Sequence, residues 1–206
     1  MKIAKTKMNR IAKFCNNISS ASKTDHGKVL EMFLSWVYKL PNHEQYKAKI
    51  DFPKEIIAQG NVPSEWVADW EVKYYNITTG SILLGDVVRK LECLQKGMVL
   101  VLGFYDQTPE NLIDVVFIKL DSKKTKLTKK VINLFKEASN FVKNRENSIQ
   151  ETKEYVKKVN SQVNSNFYLS NTSMPPRFSN SKNRMLPEAR AVSLSISAKK
   201  LLSLYL

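Results

Sequence analysis

The run from Met98 to Tyr105, MVLVLGFY, limits the possible folds of this chain more than any other segment. It is almost continuously apolar and too short for a membrane span. It lies between Gly97 and the turn-forming stretch DQTPEN. A strand that alternates apolar and polar residues has one wet face, whereas a run like this one is covered on both faces. The chain therefore needs a sheet with material on each side of it. Its neighbours agree. Residues 65–75, EWVADWEVKYY, alternate strictly and are rich in aromatic and β-branched types, which predicts a strand. Residues 81–96, SILLGDVVRKLECLQK, read as an amphipathic helix closed by Gly97, and 112–120, LIDVVFIKL, as a further strand. Strand, crossover helix, buried strand is a βαβ unit, which implies a parallel pair inside a mixed sheet.

Elsewhere the pattern is weaker. Residues 1–24 have a faint helical period, and 27–39 predict a helix with Asp25 as N-cap and Pro41 as stop. Residues 45–52 alternate and predict a strand; 54–64 predict a turn region. Residues 124–160 predict one long Lys-rich helix or two in line, and 161–188 predict a long polar loop. Residues 190–206 alternate and then turn helical. The expected fold class is α/β. A mixed central sheet of four or five strands is flanked by helices, and a long helical and loop segment follows at the C-terminus. The 206 residues are expected to form a single domain, with a core at about 27–120 and a basic part at about 121–206.

Charge narrows the function. The net charge is +14, unevenly placed. Residues 1–50 balance at +7, 51–120 at −4 and 121–206 at +11. A basic chain suggests a polyanionic partner. A plain nucleic-acid binder has no use for an acidic middle, because carboxylates repel phosphates. A site that gathers a divalent cation at a phosphate, with lysines and arginines around it, uses both signs. The plainer alternative is a solvated acidic patch. No apolar run reaches the ~20 residues of a membrane span. The basic start MKIAKTKMNR lacks the apolar stretch of a secretory signal, so a cytoplasmic protein without membrane attachment is expected. Cys15 and Cys93 are expected to be reduced thiols, and His26 and His43 surface residues.

On the predicted strand 65–75, Asp69, Glu71, Lys73 and Tyr75 share one face, and Trp66, Ala68, Trp70, Val72 and Tyr74 the other. A Glu-x-Lys pair next to a fully covered strand is costly to desolvate unless its charges work together or hold a metal. A cross-strand ion pair on a half-exposed face is the simpler explanation. Glu71-Val72-Lys73, an upstream Asp51, a preceding helix and a following crossover resemble the PD-(D/E)xK nuclease superfamily, and within it the type II restriction endonucleases. The likeness spans about 27–120. Ile50 stands where the family's motif has Pro, a Pro that many members lack, and Asp69 or Glu65 would replace Asp51 as ligand if the hairpin were short.

The resemblance implies a Mg²⁺-dependent, sequence-specific endonuclease of a restriction system. It would hydrolyse phosphodiester bonds of double-stranded DNA as a homodimer, without an organic cofactor. It makes Asp51, Glu71 and Lys73 catalytic, with Asp51, Glu71, Asp69 and Glu31 as candidate metal ligands. The alternatives are a structure-specific nuclease of the same fold, acting on junctions or damaged DNA, and a non-catalytic basic DNA-binding protein. For DNA contact, the lysine run 123–130 supplies Lys129 and Lys130 as phosphate ligands. The segment 174–184 supplies Arg177, Asn180, Lys182, Asn183 and Arg184, types that read base edges; a disordered basic loop is the competing reading. Asp86 and Arg89 are expected on the solvated face of the helix at 81–96.

Overall fold

The structure is a computed structural model that describes residues 25–41, 50–76, 80–105, 112–120, 122–179 and 183–205. The weak helix at 1–24 and most of the strand expected at 45–52 lie outside the described residues, as do Asn180 and Lys182.

The chain divides into two compact units. The first comprises Met1–Gly80 and Lys96–Asp121, the second Ser81–Gln95 and Ser122–Leu206. The first contains helix α1 (Asp25–Tyr38), the single turn α2 (Lys54–Ile57) and a 3-10 turn at Ser64–Trp66. Its strands are β1 (Asp69–Asn76), β3 (Met98–Tyr105) and β4 (Leu112–Leu120), in the order β1-β3-β4. β1 runs parallel to β3, and β3 antiparallel to β4. The sheet is mixed, and MVLVLGFY is its middle strand, buried from Met98 to Phe104. β1 is therefore an outer strand of these three. Its other edge is met by Phe52, which bridges Trp70 in antiparallel fashion with hydrogen bonds of 3.0 and 2.8 Å.

The aromatic face of β1 forms the core. Trp70 and Val72 pack with Val99, Val101, Val115 and Phe117 of the neighbouring strands and with Leu30, Phe33 and Leu34 of α1. Trp70 is ringed edge-on by Tyr38, Phe52 and Phe117. Gly103 has a packing role: a Cβ there would stand 2.8 Å from both the Leu30 and Tyr74 side chains. Glycine lets α1 settle on the sheet.

The second unit holds β2 (Ser81–Asp86), α3 (Val87–Lys96), α4 (Lys129–Lys143), α5 (Ile149–Gln162), β5 (Phe167–Asn171), β8 (Val192–Ser197) and α6 (Ala198–Tyr205). Its sheet runs β2-β8-β5, all antiparallel. The helix expected over 81–96 is thus half strand. Ile82 and Leu84 are buried and alternate with exposed Ser81 and Leu83, a period of two that the following helical stripe conceals. Asp86 ends the strand and accepts from the Arg89 amide at 3.1 Å, starting α3. Its other oxygen lies 3.6 Å from Lys143 Nζ. Asp86 thus caps α3 and pairs with Lys143. Gly97, at φ +82°, takes the left-handed turn after α3, as the sequence implies. The basic stretch 124–160 makes two helices. Asn144 to Ser148 break it, and Ser148 and Glu151 form a reciprocal capping box on α5.

The expected loop at 161–188 is mostly a ribbon. β5 pairs with β8 and continues through Thr172–Ala191 and Met174–Ala189 contacts into strands β6 (Arg177–Ser179) and β7 (Arg184–Leu186). One register runs through all of these pairs: Asn171 faces Val192, Met174 faces Ala189 and Ser179 faces Arg184. The ladder lapses where that register sets Pro176 against Pro187, two residues without an N–H to donate. The Ser and Asn content masks the alternation of Phe167 and Leu169, so the sequence reads as loop.

Candidate functional site

The site is built on β1. The Phe52–Trp70 bridge fixes the register, so one residue on, Asp51 stands opposite Glu71. Asp51 Oδ2 accepts a 2.7 Å hydrogen bond from the Val72 amide, the peptide between Glu71 and Lys73. That bond anchors one carboxylate oxygen beside Lys73, on which the Asp51 charge acts. Glu71 is 2% exposed, in register with Leu100, and its Oε1 lies 2.5 Å from Lys73 Nζ. A buried carboxylate beside leucine is strongly disfavoured unless a cation accompanies it. Lys73, 29% exposed, is that cation. Burial alone would lower its pKa, but Glu71, Asp51 and Glu31 together outweigh it and hold the ammonium above its ordinary value. Glu31, on α1, thus acts on the same charge.

The structure brings Asp51, Glu71 and Lys73 together and sets Asp69 to a different task. Asp69 Oδ1 accepts from the Lys54 amide at 2.8 Å, bracing the first turn of α2. Glu65 lies in the 3-10 turn before β1 and is exposed. Among the described residues no group of three or more His, Cys, Asp or Glu side chains forms a metal-ligand set. The pair Asp51 and Glu71 suits magnesium, which often takes one or two carboxylates and completes its octahedron with water and substrate phosphate.

The residues expected to touch DNA lie in the second unit. Lys129 and Lys130 are exposed in the first turn of α4, behind the N-cap Thr128. The helix dipole disfavours cations at that end, so they are not there for helix stability. Arg177 and Arg184 are exposed on β6 and β7, and Asn183, at φ +44°, precedes Arg184. Sequence reasoning missed that Met174, Phe178 and Met185 are exposed on the same ribbon. No local pattern signals it, because the faces depend on the register of the ribbon. It also missed a cavity of about 260 Å³ between α5 and β5, lined by Lys153, Lys157, Asn160 and Asn171 among others. Cys93 is buried in α3. No described helix is long and apolar enough to cross a membrane.

Comparison with known proteins finds no matching family model, no matching curated protein and no matching solved structure.

Proposed function

We propose that this chain is a metal-dependent endonuclease acting on double-stranded DNA, of the kind the PD-(D/E)xK resemblance implies. The observation that carries the reading is the Asp51 carboxylate seated on the Val72 amide, between buried Glu71 and Lys73. Asp51 and Glu71 would hold Mg²⁺, which supplies phosphate polarisation and acidifies a bound water. Lys73 contributes a fixed positive charge where negative charge develops on the phosphoryl oxygens, and it orients the attacking water. Glu31 adds negative charge from α1. Outside the site, lysines 129, 130, 153 and 157 supply sequence-independent affinity through phosphate contacts. Cutting both strands of a symmetric site is simplest for a two-fold dimer, and a homodimer is part of the proposal.

The Glu71–Lys73 contact also favours a second reading, a structural ion pair in a non-catalytic basic DNA-binding protein. Plasmid DNA incubated with the protein and Mg²⁺, then with EDTA, separates the two. Discrete fragments that vanish in EDTA are expected. Nicking or junction cleavage alone would make the enzyme structure-specific. Salt-sensitive binding without any cleavage would overturn the nuclease proposal.

A further inference from the structure

The ribbon formed by residues 167–179 and 183–197 carries two unlike faces at its far end. Phe178 and Met185 are direct cross-strand partners, 55% and 61% exposed. Strand alternation in the unbroken register places Met174, 41% exposed, on the same side. Arg177, Ser179 and Arg184 fall on the opposite side. Three large apolar side chains in a row on a narrow two-stranded arm are costly to leave in water. The facing pair Pro176 and Pro187 removes donors from the arm and discourages sheet extension along it.

Charge identifies the partner. From Tyr155 to Pro187 the sequence holds no Asp or Glu, while it includes Lys157, Lys158, Arg177, Lys182 and Arg184. An apolar patch on an arm of one charge sign suits a partner with a polyanionic rim and an apolar interior. Duplex DNA has both, with phosphates bordering the groove and stacked bases within it. Phe and Met are among the side chains that enter the minor groove as wedges and partly unstack a base step. We propose that the end of this arm is such a wedge: Phe178 and Met185 press into a base step while Arg177 and Arg184 reach around the ribbon to the flanking phosphates. The inference rests on the proposed binding of duplex DNA, but not on cleavage.

Unstacking by a wedge untwists DNA, so the test is topological. Closed circular plasmid is relaxed by a magnesium-independent type IB topoisomerase in EDTA, with the full chain present, and the linking number of the product is read on a gel. A gel shift on the same DNA reports binding separately. The wild type is expected to shift the linking number in proportion to bound protein. F178K/M185K removes the wedge, so at concentrations where the gel shift shows it bound it is expected to leave the linking number at its protein-free value. Both side chains are exposed, and circular dichroism confirms that the variant is folded. Wild-type binding without a shift, or a shift that survives in F178K/M185K, would overturn the wedge and leave the proposed function standing. Absence of any DNA binding would overturn both. Loss of self-association in the variant with no topological effect of the wild type would assign the patch to a second copy of this chain and overturn the wedge.

Discussion

The two units handle charge in opposite ways. In the first, the charges of interest are few and sunk into a sheet. Glu71 is buried, Lys73 neutralises it, and Asp51 is tied to the backbone between them. In the ribbon of the second, the charges are exposed, all positive near the tip, and backed by exposed apolar side chains. A buried ion pair costs desolvation and adds little net stability, so its presence invites a chemical explanation. Exposed cations cost almost nothing to keep and add little by themselves. They act by summing over a long partner. The contrast is what the proposed function would require, with chemistry in the first unit and substrate holding in the second.

The strongest test of that division is in cleavage. Glu71→Gln, Lys73→Ala and Asp51→Asn are each expected to reduce Mg²⁺-dependent cleavage by about 10²–10³-fold, the scale for removing one preorganised charge. Gel-shift affinity for DNA should stay within about threefold, since binding is carried by other charges. Equal losses in cleavage and binding would erase the contrast between the units.

Stability probes the same pair without substrate. Lys73→Met leaves Glu71 buried without its cation. A fully buried pair would cost about 3–5 kcal/mol, and with Lys73 partly exposed we expect about 2 kcal/mol. The Glu71→Gln/Lys73→Met double variant should recover most of it in urea unfolding. The Lys73 pKa is raised on folding, so the pair's stabilisation is complete below the ordinary lysine value of 10.5 and is lost as pH rises through the folded value. The wild type should therefore lose stability at strongly alkaline pH more steeply than the double variant.

The arm is expected to respond differently. Arg177→Ala/Arg184→Ala should weaken binding by about tenfold on every duplex tested and lower the salt slope by about one per lost phosphate contact. A loss confined to one preferred sequence would instead make the arginines base readers.

The smallest effect belongs to Asp69. Its carboxylate braces α2, so Asp69→Asn should cost about 0.5–1 kcal/mol in thermal unfolding and change cleavage by no more than about twofold. Loss of cleavage in Asp69→Asn with normal cleavage in Asp51→Asn would reverse the ligand assignment.

Much of the first unit was legible in the sequence, because its signals are strong and local. MVLVLGFY can only be a covered strand, and the aromatic alternation of Trp70, Val72 and Tyr74 fixes which face of β1 meets the core. The partnership of Asp51 with Glu71 could be named but not chosen over Asp69, because the choice depends on a bridge register that no local pattern records. The second unit was harder to read. Ser81–Asp86 runs straight into α3, so two periods overlap, and the ribbon is written in Ser, Asn and Pro, types that usually mark loops. Its register comes from pairing between residues up to 29 positions apart, as between Phe167 and Ile196, and long-range pairing leaves little trace in a single strand's composition.

The proposed function requires that Asp51 and Glu71 form one metal site to which Asp69 does not belong. Manganese, a spectroscopic stand-in for magnesium, tests this directly. Electron paramagnetic resonance of free Mn²⁺ would be followed as the wild type, Asp51→Asn, Glu71→Gln and Asp69→Asn are titrated in. The account predicts saturable binding by the wild type and Asp69→Asn, weakened by at least about tenfold in the other two, a loss of one charged ligand. Equal binding by all four proteins, or no binding by the wild type at millimolar Mn²⁺, would contradict it.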